Sequence, residues 1–472
     1  MAINENDTIA AISTPVSSEG GIGIVRISGS EAVDIADKIY RGKKKLCDVE
    51  SHTVSYGHIY DGDELLDEVM VSVYRAPRSY TREDVVEISC HGSIFLLRKV
   101  LSLVIKSGAR PAEPGEFTKR AFLNGRIDLS EAQSVMDLIS SENEMALKNS
   151  LSHLSGALKK KIGYLRGEIL HETARIESAL DDPEHYDLTG YDEVIMEKLS
   201  GWQDTLMGLI DSFDDGEIIK NGIATLILGR PNVGKSSLFN LLVNREAAIV
   251  TDIPGTTRDV VEEKISFGDF SLRLMDTAGI RHTEDTVERI GVSKALSLID
   301  DASLIIFVVD GSEPLSADDR EIMEKIRDKI VIVLLNKSDL TQVVTEDDIK
   351  SFYENMSDEY HDSFMGGKSI ISFSSLDMIG LSSLKDEISR LFFGGEVKNT
   401  DRLYITSERQ RYNLCEAMTS LGRVRDSVEG GMTEDFYTVD LMDAYESLGA
   451  ITGEQISDDL VDEIFAEFCM GK

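Results

Sequence analysis

The chain is short of basic residues, short of cysteine and without a long apolar run. Its 49 lysines and arginines face 85 aspartates and glutamates, giving a formal net charge of −36. Proteins that grip nucleic acid over a broad surface carry a basic footprint, so that class of binder is excluded for the surface as a whole. The local exceptions, Lys43–Lys45 and Lys159–Lys161, read as solvated faces. The cysteines Cys47, Cys90, Cys415 and Cys469 are scattered without metal-ligand spacing. That usage argues against a disulfide framework and predicts a reducing, cytoplasmic setting. No stretch of about 18 apolar residues occurs, so no transmembrane helix is predicted. The opening MAINENDTIA has no basic region ahead of an apolar core, so no secretory signal is predicted. At 472 residues and 42% hydrophobic content, the chain has room for about three globular domains.

What is present begins with Gly229-Arg-Pro-Asn-Val-Gly-Lys235-Ser236, a G-x-x-x-x-G-K-[ST] loop. Ile223 to Leu228 ahead of it reads as a buried strand, and Ser237 to Val243 after it as a helix. Strand, glycine loop and helix start together turn backbone N–H groups towards a phosphate chain. Asn232, Val233, Gly234 and Ser237 belong to this cradle. Lys235 would reach the terminal phosphates and Ser236 would ligate Mg²⁺. A second strand, Leu272 to Met275, leads into Asp276-Thr277-Ala278-Gly279, which can hold Asp276 near Mg²⁺ and offer the Gly279 N–H to a γ-phosphate. A third, Ile330 to Leu335, leads into Asn336-Lys337-Ser338-Asp339. The Asp339 carboxylate can accept two hydrogen bonds from guanine N1–H and the exocyclic amine, which adenine cannot supply. Lys337 can lay its stem across the base. A fourth, Ser369 to Phe373, leads into Ser374-Ser375-Leu376, which can offer a backbone N–H to guanine O6. Four loops at strand C-terminal ends, in this order, predict a GTPase.

Between the first two loops lies Thr251-Asp252-Ile253-Pro254-Gly255-Thr256-Thr257, whose Thr257 is the choice for closing on Mg²⁺. The residue after the second loop is Ile280, where Ras-type GTPases carry a glutamine that orients water. An isoleucine cannot do so. Asn232 could hold a monovalent cation beside the β- and γ-phosphates, and Glu288 could position water indirectly.

The segments GRPNVGKSSLFN, TDIPGTTRD, DTAGI and NKSD resemble the TrmE-Era-EngA-type GTPases, in which a hydrophobic residue replaces the catalytic glutamine. GEFTKRAFLNGRIDL at 115–129 and Phe468-Cys469-Met470-Gly471-Lys472 narrow the resemblance to the MnmE/TrmE family of tRNA wobble-uridine modification GTPases. DTIAAISTP, GGIGIVRISG at 20–29, and Tyr80 to Glu87 leading into His91-Gly92 agree with it along the whole length. His91-Gly92-Ser93 departs from the family's H-G-G, and Ser374-Ser375 from its Ser-Ala.

The resemblance implies an α+β N-terminal domain (1–120) that dimerises and binds folate, and a discontinuous α-helical domain (121–216 and 394–472). Into the latter is inserted an α/β P-loop GTPase domain (217–393), Ras-like, with a mixed, mostly parallel sheet. It implies a K⁺-dependent GTPase, with Asn232, Thr251, Ile253 and Thr256 around K⁺ and Ser236 and Thr257 on Mg²⁺. Glu288 would orient water through a bridging molecule. A tetrahydrofolate derivative, 5-formyl or 5,10-methylene, would bind through Arg26, Glu87, Arg126 and Lys472, and Cys469 would have an unsettled catalytic role. The chain would form a homodimer. With the FAD-containing partner MnmG/GidA, in a heterotetramer, it would install an aminomethyl or carboxymethylaminomethyl group on C5 of the wobble uridine of certain tRNAs. An acidic chain leaves most of the tRNA affinity to that partner. The rival reading is a ribosome-assembly GTPase switch.

The rest of the chain follows from periodicity. Short apolar alternations at Gly20 to Ile27 and Val69 to Tyr74, with helical stretches at Ala32 to Tyr40 and Ile94 to Lys106, predict the α+β segment. Arg110 to Gly115 reads as a loop. Three- and four-residue apolar spacing predicts amphipathic helices from Leu129 to about Asp214, broken at Pro183 to Gly190, and again at Ser407 to Val428 and Tyr437 to Ile451.

Overall fold

A computed structural model describes residues 7–15, 20–186, 188–246, 263–275, 298–354, 368–394, 402–454, 457–466, 468 and 471. The chain divides into two compact units, Met1–Met136 with His153–Leu199 and Glu416–Lys472, and Asp137–Ser152 with Ser200–Cys415.

The first unit is built on a seven-stranded sheet, β1 (Ile9–Ile12), β2 (Ile22–Ser28), β3 (Tyr40–Gly42), β4 (Thr53–Asp61), β5 (Glu64–Tyr74), β6 (Val85–His91) and β7 (Arg110–Pro111). Its order is β3-β4-β5-β6-β2-β1-β7. Val69, Val71 and Val73 alternate inward on β5, as a half-buried strand requires. They pack with Val25, Ile27, Val86 and Ile88 against the helices Ala32–Ile39 and Ile94–Lys106, through Ile35, Leu97, Val100 and Val104. Each such fully buried side chain stabilises the fold by about 1.5–3 kcal/mol. The segment read as a loop from Arg110 is corrected at its start, because Arg110–Pro111 pairs in parallel with β1. Proline is tolerated there since the strand lies at the sheet's edge.

In the same unit the helix Ala157–Asp181 packs along Asp435–Thr452. Ile162, Leu165, Ile169 and Ile176 recur at helical spacing on one, and Tyr437, Leu441, Ala444 and Leu448 on the other, all buried. Glu172, with a side chain 2% exposed, accepts from the Tyr191 hydroxyl at 3.0 Å and pairs with Lys198 at 2.8 Å. The helix Glu116–Leu123 starts at Gly115, where an added Cβ would lie 2.5 Å from the Phe465 carbonyl. Phe122, Phe465 and Phe468 then pack ring against tilted ring, with centroids 6.1 Å and 4.8 Å apart.

The second unit holds a six-stranded sheet, β8 (Ile223–Leu228), β9 (Glu263–Ser266), β10 (Ser271–Leu274), β11 (Leu304–Asp310), β12 (Val331–Asn336) and β13 (Lys368–Ser372). The order is β13-β12-β11-β8-β10-β9, parallel throughout except for the β9–β10 hairpin. Every residue of β8, β11 and β12 is buried, the signature of strands covered on both faces. Leu238, Phe239, Leu242, Leu384 and Ile388 cover one face, from the helices Lys235–Glu246 and Leu381–Phe393. Ile322, Met323, Ile326 and Ile349 cover the other. In such a doubly wound sheet the ligand crevice lies at the strands' C-terminal ends.

Candidate nucleotide site and a second polar cluster

β8 feeds straight into the glycine loop. Gly229 has φ +152°, and a Cβ there would sit 2.5 Å from the Val308 carbonyl. Asn232 takes the left-handed region at φ +66°, which asparagine tolerates better than most residues. Gly234 has φ +104°, and its added Cβ would fall 2.1 Å from Asn336 Nδ2. The loop therefore closes only with glycine at that position. The helix Lys235–Glu246 opens at once, so its first N–H groups face the loop. Lys235 Nζ donates to the carbonyls of Gly229 at 2.9 Å and Arg230 at 2.8 Å, which holds the ammonium against the loop. Ser236 is half-buried, while Asn232 and Ser237 are exposed. This cradle of backbone N–H groups with one lysine fits a nucleotide polyphosphate.

The two described base loops, Asn336 to Asp339 and Ser374 to Leu376, follow β12 and β13 at the same end of the sheet. Asn336 is 2% exposed and occupied on both sides. Its Nδ2 donates to the Val233 carbonyl at 2.7 Å, and its Oδ1 accepts from Ser375 N and Ser375 Oγ, each at 3.1 Å. One side chain thus ties the phosphate loop to both base-recognition loops. The second serine of Ser374-Ser375 adds a hydroxyl bond that alanine could not make. Asp339 is exposed, and the buried Ser374 hydroxyl donates to its Oδ1 at 2.7 Å, fixing the carboxylate's orientation. Lys337, at φ +63°, pairs with Asp310 at 2.5 Å. Burial pushes the Asp310 carboxyl up, but Lys337 and Ser312 outweigh it and hold the group below its ordinary value. Asp310 was no part of the sequence reading. The signal was available in LIIFVVD, an apolar run ending in a carboxylate at the same sheet end.

In the first unit, Arg26 on β2 and Glu87 on β6 are direct cross-strand partners. Arg26 Nε donates to Glu87 Oε1 at 2.8 Å, and the side chains are only 15% and 20% exposed. They are a largely buried ion pair, not two solvated surface charges. The Arg26 guanidinium lies 5.2 Å from the Tyr80 ring centroid and 5.6 Å from that of Phe117. Arg126 lies 4.5 Å from the same Tyr80 ring, so one aromatic ring is in contact with two cations. Tyr80 is steadied by a 2.9 Å hydrogen bond between its hydroxyl and Thr118 Oγ1. Arg26 Nη1 also donates to the Gly471 carbonyl at 3.5 Å, which brings Gly471 to this cluster. Arg26, Glu87 and Arg126 are thus assembled, with Tyr80 as the member that sequence reasoning missed. The aromatic face and paired cations suit a flat heterocycle with carboxylates.

Comparison with known proteins finds two family profiles along the chain. Residues 8–126 match the family profile described as "GTP-binding protein TrmE N-terminus" and residues 129–469 that of the "MnmE helical domain". The chain belongs to the MnmE/TrmE family. It is 50% identical over 471 residues to the "tRNA modification GTPase MnmE" of Lachnoclostridium phytofermentans, covering 99% of this chain and 100% of that protein. It is 44% identical over 472 residues to that of Acetivibrio thermocellus, covering 99% and 100%. It is 44% identical over 469 residues to that of Staphylococcus epidermidis, covering 99% of both chains. This MnmE-family chain combines an N-terminal α/β domain, a helical domain and a P-loop GTPase-like domain with a mostly parallel sheet. Among the described residues no helix is long and apolar enough to cross a membrane. Thr251, Asp252, Ile253, Pro254, Gly255, Thr256, Thr257, Asp276, Thr277, Ala278, Gly279 and Glu288 lie outside the described residues, as do Cys469 and Lys472.

Proposed function

We propose that this chain is a K⁺-dependent GTPase of tRNA wobble-uridine modification. GTP occupies the cradle of Asn232 to Ser237, with Asp339 reading the guanine edge. The observation that carries this reading is the Asn336–Val233 hydrogen bond, which makes the phosphate and base loops one recognition unit. Full-length identity of 44–50% to proteins named tRNA modification GTPase supports the substrate class.

Ser236 would hold Mg²⁺, with Thr257 as its partner. Asn232 would hold K⁺, with Thr251, Ile253 and Thr256 completing its shell. The two cations would supply positive charge to the phosphates, while Ile280 in place of glutamine leaves the orientation of water to another group. Glu288 then orients water. Arg26, Glu87, Arg126 and Lys472 would bind the tetrahydrofolate that brings a one-carbon unit. Glu87 would meet the pterin N–H edge and the cations its carboxylates. The chain acts in the cytoplasm as a homodimer, with the FAD-containing MnmG/GidA protein in a heterotetramer that carries most of the tRNA contact. Three parts divide the labour, with folate and dimerisation at 1–120, the helical domain at 121–216 and 394–472, and GTP hydrolysis at 217–393.

The test is GTP turnover by the purified chain in K⁺ and in Na⁺. Turnover should rise in K⁺, and Asn232→Ala should blunt the rise. Equal rates in both salts would remove the cation from the mechanism.

A further inference from the structure

We propose that Asp310 is a positioning residue for guanine-nucleotide binding, clamping Lys337 before the base arrives. The inference rests on the GTP reading of this site and adds a residue that belongs to none of its four loops.

Asp310 ends β11 and stands in register with Asn336, the last residue of β12. Gly311 N donates to the Asn336 carbonyl at 2.9 Å, so the backbone on either side of the pair is fixed. The carboxylate itself is 3% exposed. Its Oδ1 accepts from Ser312 N at 3.0 Å and Ser312 Oγ at 2.6 Å, and its Oδ2 faces Lys337 Nζ at 2.5 Å. A buried carboxylate is tolerated only when so saturated, and the ammonium is its one cationic contact among these. Lys337 meanwhile sits in the left-handed region at φ +63°, a strained choice for a lysine. The turn is held from its other side by Gln342 Nε2, which donates to the Lys337 carbonyl at 2.8 Å.

A free lysine stem has many rotamers and loses that freedom when a base is laid against it. Pinning the ammonium on Asp310 lowers this loss in the binding step. The lysine side chain stays 35% exposed, so its stem remains available for contact while its end is fixed. Asp339 chooses the base and Asp310 prepares the surface it rests on. The two aspartates therefore make separable contributions, one to discrimination and the other to affinity alone.

The experiment is a double-mutant cycle on the full-length chain with Asp310→Asn and Lys337→Met, reading KM, kcat and the GTP-over-ITP preference. Asp310→Asn should raise the KM for GTP about tenfold with kcat at saturation nearly retained. The KM for ITP should rise by the same factor, because Asp339 still reads the base edge. Lys337→Met should cost about as much, and the double variant no more than either alone, because both remove one clamp. Additive losses, an unchanged KM or an altered GTP-over-ITP ratio would overturn the proposal. If Asp310→Asn does not fold, Ser312→Ala should raise KM in the same direction by a smaller factor, and an unchanged KM there overturns it equally. A wild-type chain that binds no GTP would bring down the functional reading and this proposal together, whereas normal wild-type binding with unaffected variants would bring down this proposal alone.

Discussion

Asn336 and Val233 stand 103 residues apart in the chain and are joined by a 2.7 Å hydrogen bond. Through it the sequence motif that names the base and the motif that holds the phosphates become one rigid cradle. The space for that bond exists because position 234 carries no side chain beyond hydrogen.

Gly234→Ala tests this fit. The new Cβ would lie 2.1 Å from Asn336 Nδ2, at a backbone φ of +104° that alanine rarely adopts. The Asn336–Val233 bond should break, and GTP affinity should fall by about a hundredfold or more, read by calorimetric titration. An alanine variant that bound GTP normally would show that the loop can reorganise around the added methyl.

The polar cluster of the first unit gives a second test, through two arginines on one ring. Arg126→Ala removes a cation from the Tyr80 face and should weaken binding of 5-formyltetrahydrofolate, with a stability change of about 1 kcal/mol or less. Arg26→Ala should weaken it too, but also leaves Glu87 half-buried and unpaired, costing about 1–3 kcal/mol. Fluorescence titration and thermal denaturation separate the two effects. Unchanged folate affinity in both variants would remove the cluster from folate recognition.

How far these features were legible in the sequence depends on their range. Ile223 to Leu228 was read with the observed bounds, and so was Ile94 to Lys106, because each is a compact apolar pattern ended by glycine or a polar turn. Strands β12 and β13 were read one residue out of place, since fraying and pairing blur a strand's ends. β11 went unread although Leu304 to Val309 is as apolar as its neighbours, because no phosphate or base motif follows it. The helix Asp458–Ala466 went unread although Leu460, Val461, Ile464 and Phe465 recur at helical spacing, because at nine residues it offers only about two turns of pattern. Motif order brought Asn336 and Lys235 to one site, but no spacing rule reports that Asn336 touches Val233 or that Asp310 grips Lys337. Those pairings arise from strand order, which places β11 between β8 and β12.

A third test concerns the buried Glu172 in the helical part. Burial would raise its carboxyl, yet hydrogen bonds from Lys198 and Tyr191 and the charges of Lys198 and Arg175 hold it below the ordinary value of 4.5. A folded-state value depressed below the unfolded one stabilises the fold at pH above 4.5, and that contribution is lost as the pH falls through the folded value. Glu172→Gln should therefore be less stable than wild type near neutrality, by about 2 kcal/mol. The difference should close on acidification below 4.5. Thermal denaturation of both proteins against pH checks this, and a gap that stayed constant to low pH would contradict it.

The most direct measurement for the whole account is the nucleoside composition of tRNA from cells lacking the gene, and from the same cells carrying wild-type or Lys235→Ala protein. The account predicts that the C5 aminomethyl or carboxymethylaminomethyl group on the wobble uridine disappears in the deletion. Wild type should restore it, and Lys235→Ala, which cannot hold the phosphates, should not. Fully modified wobble uridines in the deletion strain would contradict it.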